Sequence, residues 1–572
     1  MSNPQIKTRP LLVCPEQLQG IAPFMANILA RRDVTSLHEL ELKLKHLLSP
    51  SLKGLSTAVS YIDQAIDQKQ RIVIVGDYDA DGATSTALMV LVLRALGADV
   101  HYLVPDRFKY GYGLTEKIVD LAQQQYAPQL LITVDNGISS HAGVEQAKRY
   151  GMTVVVTDHH LTTKPAPAAD AVVNPNQLGC EFASKALAGV GVAFYVLADL
   201  VTQRKKQGKS TTSLVQYLDL VALGTYADVA ALDHNNRILI DYGLKHIRQG
   251  NCRAGILALL HVAGRDMHKI TASDLGFALG PRLNAAGRMQ SMHIGVECLL
   301  SESFEDAYPL AQQLQQLNQE RRAVEAEIKQ DALHILQDIQ LDQTHLPSAL
   351  VLFEPHWHQG VIGIVAGRLK EQFHRPSIVF AVDEDGVHIK GSARSVEGVH
   401  IRDAIERVVE QYPKLVRFFG GHAAAAGLTI AQTDFEPFKT AFEAEIAKCD
   451  PQLLQAVVWT DGELNHTDLT LDTVQTIEQF GPWGQKFPAP IFEGVFSIHQ
   501  FRWLKEKHLK LSLKLTTGQY VDAIAFNAKD LFCFDEQQSQ VKLVYELDKN
   551  EFQGRVSLQL KVLYLSSDTA SL

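Results

Sequence analysis

Three short apolar runs each deliver an aspartate at their carboxyl end. RIVIVG (71–76) leads into Asp77-Tyr78-Asp79-Ala80-Asp81-Gly82, QLLITV (129–134) into Asp135-Asn136-Gly137, and MTVVVT (152–157) into Asp158-His159-His160. Unbroken apolar runs of this length suit strands buried on both faces of a parallel sheet. Between them lie stretches of helical character, TSTALMVLVLRALGA (84–98), GLTEKIVDLAQQQ and SSHAGVEQAKRYG, and a further run, DVHYLVP (99–105). Such alternation predicts an open, mostly parallel α/β sheet. In sheets of this kind functional residues gather beyond the carboxyl ends of the strands.

The chain of 572 residues is too long for one ordinary domain and suggests about three or four. Its composition, 46% hydrophobic and 21% charged, excludes wholesale disorder. A net charge of −10 argues against a protein that binds polyanions over its whole surface, but permits a local basic groove. The six cysteines (Cys14, Cys180, Cys252, Cys298, Cys449, Cys533) are scattered, with no Cys-x-x-Cys pair. That spacing excludes a disulfide framework and a cysteine zinc ribbon and suits a reducing compartment. The first residues, MSNPQIKTRPLLVC, lack a secretory pattern, and no apolar run approaches the ~20 residues of a membrane span. A cytoplasmic protein without membrane segments is the expectation.

Residues 1–60 carry short helical patterns. From about 185 to 300 the chain is rich in helix. Residues 303–340 read as one long polar helix with an apolar stripe through Leu310, Leu314, Leu317, Val324, Ile328, Ala332 and Ile335, and Pro309 predicts a start or kink there. A second α/β unit begins at ALVLF (349–353). From about 453 the pattern is that of strands. HLKLSLKL (508–515) sets Leu509, Leu511, Leu513 and Leu515 on one face against Lys510, Ser512 and Lys514 on the other. A small antiparallel barrel of the oligonucleotide-binding type fits these strands.

Carboxylates at one rim of a sheet repel one another unless a cation neutralises them. A fourth motif, GTYADV, adds Asp228. Asp and His together favour divalent metals, and the lack of nearby Cys disfavours a zinc–thiolate site. A lone Asp-x-Asp is usually a turn or helix cap. Three acidic motifs at successive strand ends point instead to metal ligands. Two metals about 3.5–4 Å apart can share a carboxylate, activate water and stabilise a phosphoryl transition state.

GDYDADGATS, ITVDNG, TDHH and GTYADV resemble the four motifs of the DHH phosphoesterase superfamily. GPRLNAAGRM (280–289), HQGVIGIVAGRL (358–369), KGSARS (390–395) and GGHAAAAG (420–427) narrow the resemblance to its RecJ-type exonucleases, over roughly residues 60–570. The resemblance implies an α/β fold in which a DHH-type parallel-sheet domain (61–302) follows an N-terminal helical lead-in (1–60). A connecting helix (303–345) then leads to a smaller α/β DHH-associated domain (346–452) and a C-terminal OB-like β-barrel (453–572). It implies degradation of single-stranded DNA 5′→3′ to 5′-mononucleotides by two-metal phosphodiester hydrolysis with Mn²⁺ or Mg²⁺, in recombination and repair. The implied partners are single-strand-binding protein and a RecQ-type helicase, and the implied state is a monomer. A DHH phosphodiesterase acting on short oligonucleotides or cyclic dinucleotides is the alternative reading.

Carried over residue by residue, the resemblance makes Asp79 and Asp81 ligands, one for each metal, and Asp135 the bridge. His159 and Asp228 complete the second metal, and Asp77 is an added ligand or an outer acceptor. His160 faces the substrate phosphate, and Asp158 holds a neighbouring imidazole. Asp81, Asp135 and His160 are thus the catalytic candidates. Arg107, Arg282, Arg288, Ser392 and Arg394 are candidates for the 5′ end of the substrate, where an arginine fork can chelate phosphate oxygens. Gly420, Gly421 and His422 would bring backbone N–H groups and an imidazole to a phosphate. Phe501 and Trp503, with the lysines around them, are read as a surface for nucleic acid. GPWGQKFPAPIF (481–492) departs from the family pattern at Lys486, Phe487 and Ala489.

Overall fold

The computed structural model describes residues 4–162, 164–338, 346–552 and 554–566. The chain divides into two compact units, Thr8–Gln315 with Trp459–Leu572, and Met1–Lys7 with Gln316–Val458.

In the first unit the strands β1 (Arg71–Gly76), β2 (Asp99–Leu103), β3 (Leu130–Val134), β4 (Thr153–Thr157) and β5 (Ala171–Val173) form one sheet in the order β2-β1-β3-β4-β5. Every neighbouring pair is parallel. The apolar residues of β1, β3 and β4 are buried on both faces, which is why these runs do not alternate with polar residues. The short edge strand β5 has no comparable signature in the sequence.

The helix α1 (Ala80–Ala95) starts four residues earlier than its apolar run. Asp79 causes the early start: its carboxylate accepts the backbone N–H of Asp81 (2.9 Å) and Gly82 (3.0 Å) and so caps the helix. The helices α2 (Gly189–Lys206), α3 (Leu218–Ala227) and α4 (Gly280–Met289) build the rest of the site's surroundings.

The long helix α5 spans Phe304–Asp338, and residues 339–345 of the expected connector lie outside the described residues. Pro309 does not begin this helix but sits inside it. Ser303 starts it, its hydroxyl accepting the N–H of Asp306 at 3.1 Å.

The second unit is built on a mixed sheet of β6 (Leu350–Phe353), β7 (Ser377–Val382), β8 (His388–Arg394), β9 (Phe418–Gly421) and β10 (Ala425–Ala431), in the order β9-β10-β8-β7-β6. Only β6 and β7 run parallel. The helices α6 (Ile362–Phe373), α7 (Ile401–Gln411) and α8 (Phe435–Ile446) accompany it. Ile401, Ile405 and Val408 of α7 and Phe438, Phe442 and Ile446 of α8 share one core with Ile378, Phe380, Ile389 and Ala393 of the sheet.

The last strands of the first unit are β11 (Phe492–Leu504), β12 (His508–Lys514), β13 (Tyr520–Ala525), β14 (Gln540–Phe552) and β15 (Arg555–Ser566). Leu509, Leu511, Leu513 and Leu515 all point into this barrel. The barrel is not wholly antiparallel. Because β11 bonds to both β12 and β14, five strands cannot all alternate in direction, and β13 and β15 run parallel.

Candidate metal centre

The carboxyl ends of β1, β3 and β4 lie side by side, so the residues that follow them meet. Asp77 and Asp79 follow β1, Asp135 follows β3, and His159 and His160 follow β4. Asp228 arrives at the end of α3. Ligand atoms of Asp77, Asp79 and Asp135 lie within 4.8 Å of one another, as do those of Asp81, His159 and Asp228, and those of Asp135, His159 and His160. His159 Nε2 is the hub, 3.0 Å from Asp135 Oδ1, 3.8 Å from Asp81 Oδ2 and 3.9 Å from Asp228 Oδ2.

Each side chain of the cluster is fixed by its own local device. Asp135 is a non-glycine residue in left-handed backbone (φ 62°), which turns its side chain back over the strand ends. Asp81 sits in the first turn of α1, fully buried. Its carboxylate accepts backbone N–H groups from Gly189 (2.6 Å) and Val190 (2.9 Å) at the start of α2. Asp158 is buried and accepts four donors: the N–H of Ile138 (2.8 Å), of His159 (2.7 Å) and of His160 (3.1 Å), and His160 Nδ1 (2.7 Å). It therefore faces away from the cluster and orients His160.

Electrostatics follow from this crowding. Burial, then the charge of Asp79, pushes the Asp81 carboxyl up to about 7 against the two N–H groups that favour its anion. Burial and then the neighbouring aspartates raise Asp135 and Asp228 well above the ordinary carboxylate range. Burial lowers the His159 imidazole to about 4, so it is neutral and able to donate a lone pair at neutral pH. His160 behaves oppositely. Burial works against its charge, but the hydrogen bond and charge of Asp158 prevail and lift it to about 9. Asp158 itself stays below the usual carboxylate range, because the His160 contacts and the Ile138 N–H outweigh its burial.

The cluster fits divalent cations. Asp135 Oδ1 and His159 Nε2 are buried with no hydrogen-bond partner among the described residues, although they lie 3.0 Å apart. Orphaned polar atoms in such positions carry a large cost unless something coordinates them. The donors are carboxylate oxygens and a neutral imidazole nitrogen, the set expected of a borderline-hard divalent ion.

Residues whose roles the sequence did not reveal surround the cluster, two of them inside the motif GPRLNAAGRM. Asn284 on α4 accepts the N–H of Ala80 at 2.7 Å through Oδ1, clamping the loop that carries Asp77 and Asp79. One turn on, a β-carbon at Gly287 would lie 1.8 Å from the Tyr78 carbonyl oxygen, so only glycine lets α4 approach that loop. Tyr112 places its hydroxyl 3.2 Å from His160 Nε2. The pattern GYG around it, with Gly111 and Gly113 both in left-handed backbone, is the only trace in the sequence.

The remaining candidates are placed as follows. Arg282 is buried on α4, its Nη1 donating to the Ala278 carbonyl at 2.5 Å, and Arg288 is half-buried on the same helix. The Arg107 side chain lies outside the described residues. In the second unit Ser392 and Arg394 share a face of β8, with Arg394 Nη1 3.3 Å from Ser392 Oγ, and Gly363 in the first turn of α6 faces both. Gly420 and Gly421 end β9, and the His422 N–H returns to the Ala425 carbonyl at 2.8 Å.

On the barrel, Phe501 and Trp503 pack on Phe534 (ring centroids 5.2 and 6.4 Å apart), and the Trp503 indole donates to Glu536 at 2.9 Å. Lys510 pairs with Asp522 at 2.6 Å. These aromatics form a half-buried cluster rather than a free stacking ladder.

Comparison with known proteins agrees with this architecture. Residues 71–225 match the DHH family, N-terminal domain, residues 346–448 the DHHA1 domain, and residues 460–564 the RecJ OB domain. The chain is 48% identical over 571 residues to the single-stranded-DNA-specific exonuclease RecJ of Dickeya dadantii, covering 98% of this chain and 99% of that protein. It is 48% identical to the Escherichia coli protein of the same name, covering 94% and 95% of the two chains. Among solved structures, RecJ from Thermus thermophilus in complex with Mn²⁺ superposes with a TM-score of 0.82 at 30% identity, over 98% of this chain and 79% of that one. The same Thermus protein in complex with Mg²⁺ gives a TM-score of 0.76 at 28% identity, over 98% and 78%.

Proposed function

Because the chain belongs to the RecJ family of single-stranded-DNA-specific exonucleases, we propose that its aspartate–histidine cluster is the hydrolytic centre that removes nucleotides from the end of a single strand. The protein is a metal-dependent exonuclease specific for single-stranded DNA. The observation that carries the siting of this activity is the pair of buried, unpartnered atoms, Asp135 Oδ1 and His159 Nε2, at the centre of converging carboxylates.

Asp77, Asp79 and Asp135 would hold one Mn²⁺ or Mg²⁺, and Asp81, His159 and Asp228 a second, with Asp135 shared through its contact with His159. Bound divalent ions lower the pKa of water and offset the charge that develops on phosphoryl oxygens. The protein's own groups do the rest. Asp158 fixes His160 through Nδ1, leaving Nε2 to present a proton toward the leaving oxygen of the substrate. Tyr112, at hydrogen-bond distance from that Nε2, is its partner until the substrate oxygen takes its place. Arg282 and Arg288 beside the catalytic loop, and Ser392 and Arg394 in the second unit, are assigned to phosphate oxygens of the 5′ end. Arg107 and the Gly420-Gly421-His422 turn are assigned to further phosphates. Binding of the end by these groups sets 5′→3′ polarity and a mononucleotide product.

The alternative, a phosphodiesterase for short oligonucleotides or cyclic dinucleotides, is not favoured by a match that spans nearly the whole chain and includes the barrel. No helix among the described residues is long and apolar enough to cross a membrane. We place the protein in the cytoplasm as a monomer acting in recombination and repair with single-strand-binding protein and a RecQ-type helicase. Incubation of end-labelled single strands with Mn²⁺ tests the polarity. Release of mononucleotides from the 5′ end supports the reading, and release from the 3′ end or of longer products overturns it.

A further inference from the structure

We infer that the loop Trp483–Phe487, which precedes the barrel, sets the position of the Asp228 carboxylate, with Tyr226 as the positioning residue that carries the coupling. The inference rests on the assignment of Asp228 as a metal ligand.

Asp228 occupies an unusual place for a ligand. It caps the carboxyl end of α3, and the residue after it, Val229, is β-branched, exposed and in left-handed backbone (φ 59°). Such a conformation is strained for valine and persists only where the surroundings impose it. The flanking residues show what imposes it. Two positions before Asp228, the Tyr226 hydroxyl donates to the Trp483 carbonyl at 2.9 Å. Four positions after it, the Leu232 N–H donates to the Gln485 carbonyl at 2.8 Å. One short loop from the far end of the chain thus holds a side chain before the ligand, at Tyr226, and the backbone after it, at Leu232.

The grip is close. A β-carbon at Gly484 would lie 2.8 Å from Leu232 Cδ1 and 3.1 Å from the Tyr226 ring. The other side of that ring is met by Gly276, just ahead of α4. Tyr226 is therefore held between two glycine-bearing segments and by its hydroxyl.

The loop is itself rigid. Gly484 and Phe487 exchange backbone hydrogen bonds (2.8 and 3.1 Å), and the Trp483 and Phe487 rings stack at 4.9 Å with an angle of 11°. The Trp483 indole donates to the Ile477 carbonyl at 3.0 Å. The Arg237 guanidinium lies 4.0 Å over Phe487 and donates to the Phe480 carbonyl. Arg32 lies over Trp483, donates to the Pro488 carbonyl at 2.7 Å and pairs with buried Asp461 at 2.7 Å. Lys486 and Phe487, where this chain departs from the family pattern, thus belong to a structural wedge behind a ligand. Supporting groups of this kind tune metal affinity without touching the metal.

The test uses the full chain and reads metal binding directly, by Mn²⁺ electron paramagnetic resonance and by calorimetry, beside the melting temperature of the metal-free protein. Tyr226→Phe removes one hydroxyl and keeps the ring. Its Mn²⁺ affinity should fall about tenfold, the lower end of what loss of a supporting partner costs, while its metal-free melting temperature drops only by the small amount that one hydrogen bond contributes. Gly484→Ala should weaken Mn²⁺ binding as well by pressing on Leu232 and Tyr226. Parent-like Mn²⁺ affinity in Tyr226→Phe, with or without a lower melting temperature, overturns the inference. A parent protein that binds Mn²⁺ but leaves single strands intact overturns the nuclease reading instead.

Discussion

His159 Nε2 and Asp135 Oδ1 stand 3.0 Å apart, both buried, and neither has a hydrogen-bond partner among the described residues. The two atoms come from adjacent parallel strands, β3 and β4, and each follows its strand's last residue by one or two positions. The sheet register that brings Val134 beside Thr157 also brings these two side chains together. Their closeness is a consequence of the backbone, and the cost of leaving them unpaired is what a bound cation would remove.

Asp135→Asn should reduce cleavage of single strands by more than about a hundredfold, since even a partner behind a ligand is worth 10–100-fold. The same change should raise the melting temperature of the metal-free protein, because it deletes one of several buried carboxylates that repel one another. Thermal unfolding with and without chelator, beside a nuclease assay, checks both halves.

The buried carboxyls of Asp81, Asp135 and Asp228 should make the metal-free chain less stable as pH rises from about 4 to about 7, with His159, whose imidazole is held neutral, acting against them. The folded Asp81 carboxyl titrates near 7 against 3.8 for an ordinary aspartate, so across this window the folded state holds a proton that the unfolded state has released. Its contribution is complete below the unfolded value and lost above the folded one. Melting curves in chelator at pH 5 and pH 8 should show the drop, and saturating Mn²⁺ should abolish or reverse it.

Gly287→Ala should disrupt the loop that carries Asp77 and Asp79. The added methyl would collide with a backbone carbonyl at 1.8 Å, which cannot move aside as a flexible side chain can. A cost of about 1–3 kcal/mol or more is expected for such overpacking. Asn284→Ala, which removes only the clamp on Ala80, should fold normally and bind Mn²⁺ more weakly. Chemical denaturation and a metal titration separate the two effects.

Asp461→Asn should cost about 3–5 kcal/mol, the penalty for stranding a buried charge. Arg32 and Asp461 are 1% and 0% exposed, and Arg32 would keep the Ile28 and Pro488 carbonyls, the Trp483 face and one amide oxygen, but no anion to balance its charge. Equilibrium unfolding measures the loss.

How much of this was written in the sequence depends on how local the signal is. The acid-ended strands were legible because a buried parallel strand needs an unbroken apolar run, and the aspartate follows it directly. The leucine alternation of β12 was legible for a different local reason, since only one face of a barrel strand is buried. Asn284, Gly287 and Tyr226 fall inside the motifs GPRLNAAGRM and GTYADV, but their roles were not legible, because each works through contact with a segment far away in the chain. The parallel pairing of β13 with β15 was hidden as well, since direction is fixed by the whole set of five strands. Lys510 reads as a free cation until the register sets it opposite Asp522.

A circular single strand should resist the enzyme if a 5′ end must be held by arginines, and binding to a linear strand should weaken steeply with salt as phosphate contacts release counterions. Rapid cutting of circles, or an affinity flat between low and moderate salt, would count against the assigned phosphate contacts.

The most direct measurement is anomalous diffraction from crystals of the protein soaked in Mn²⁺. The account predicts one peak among Asp77, Asp79 and Asp135 and a second among Asp81, His159 and Asp228. A single peak elsewhere, or none between these side chains, would contradict it.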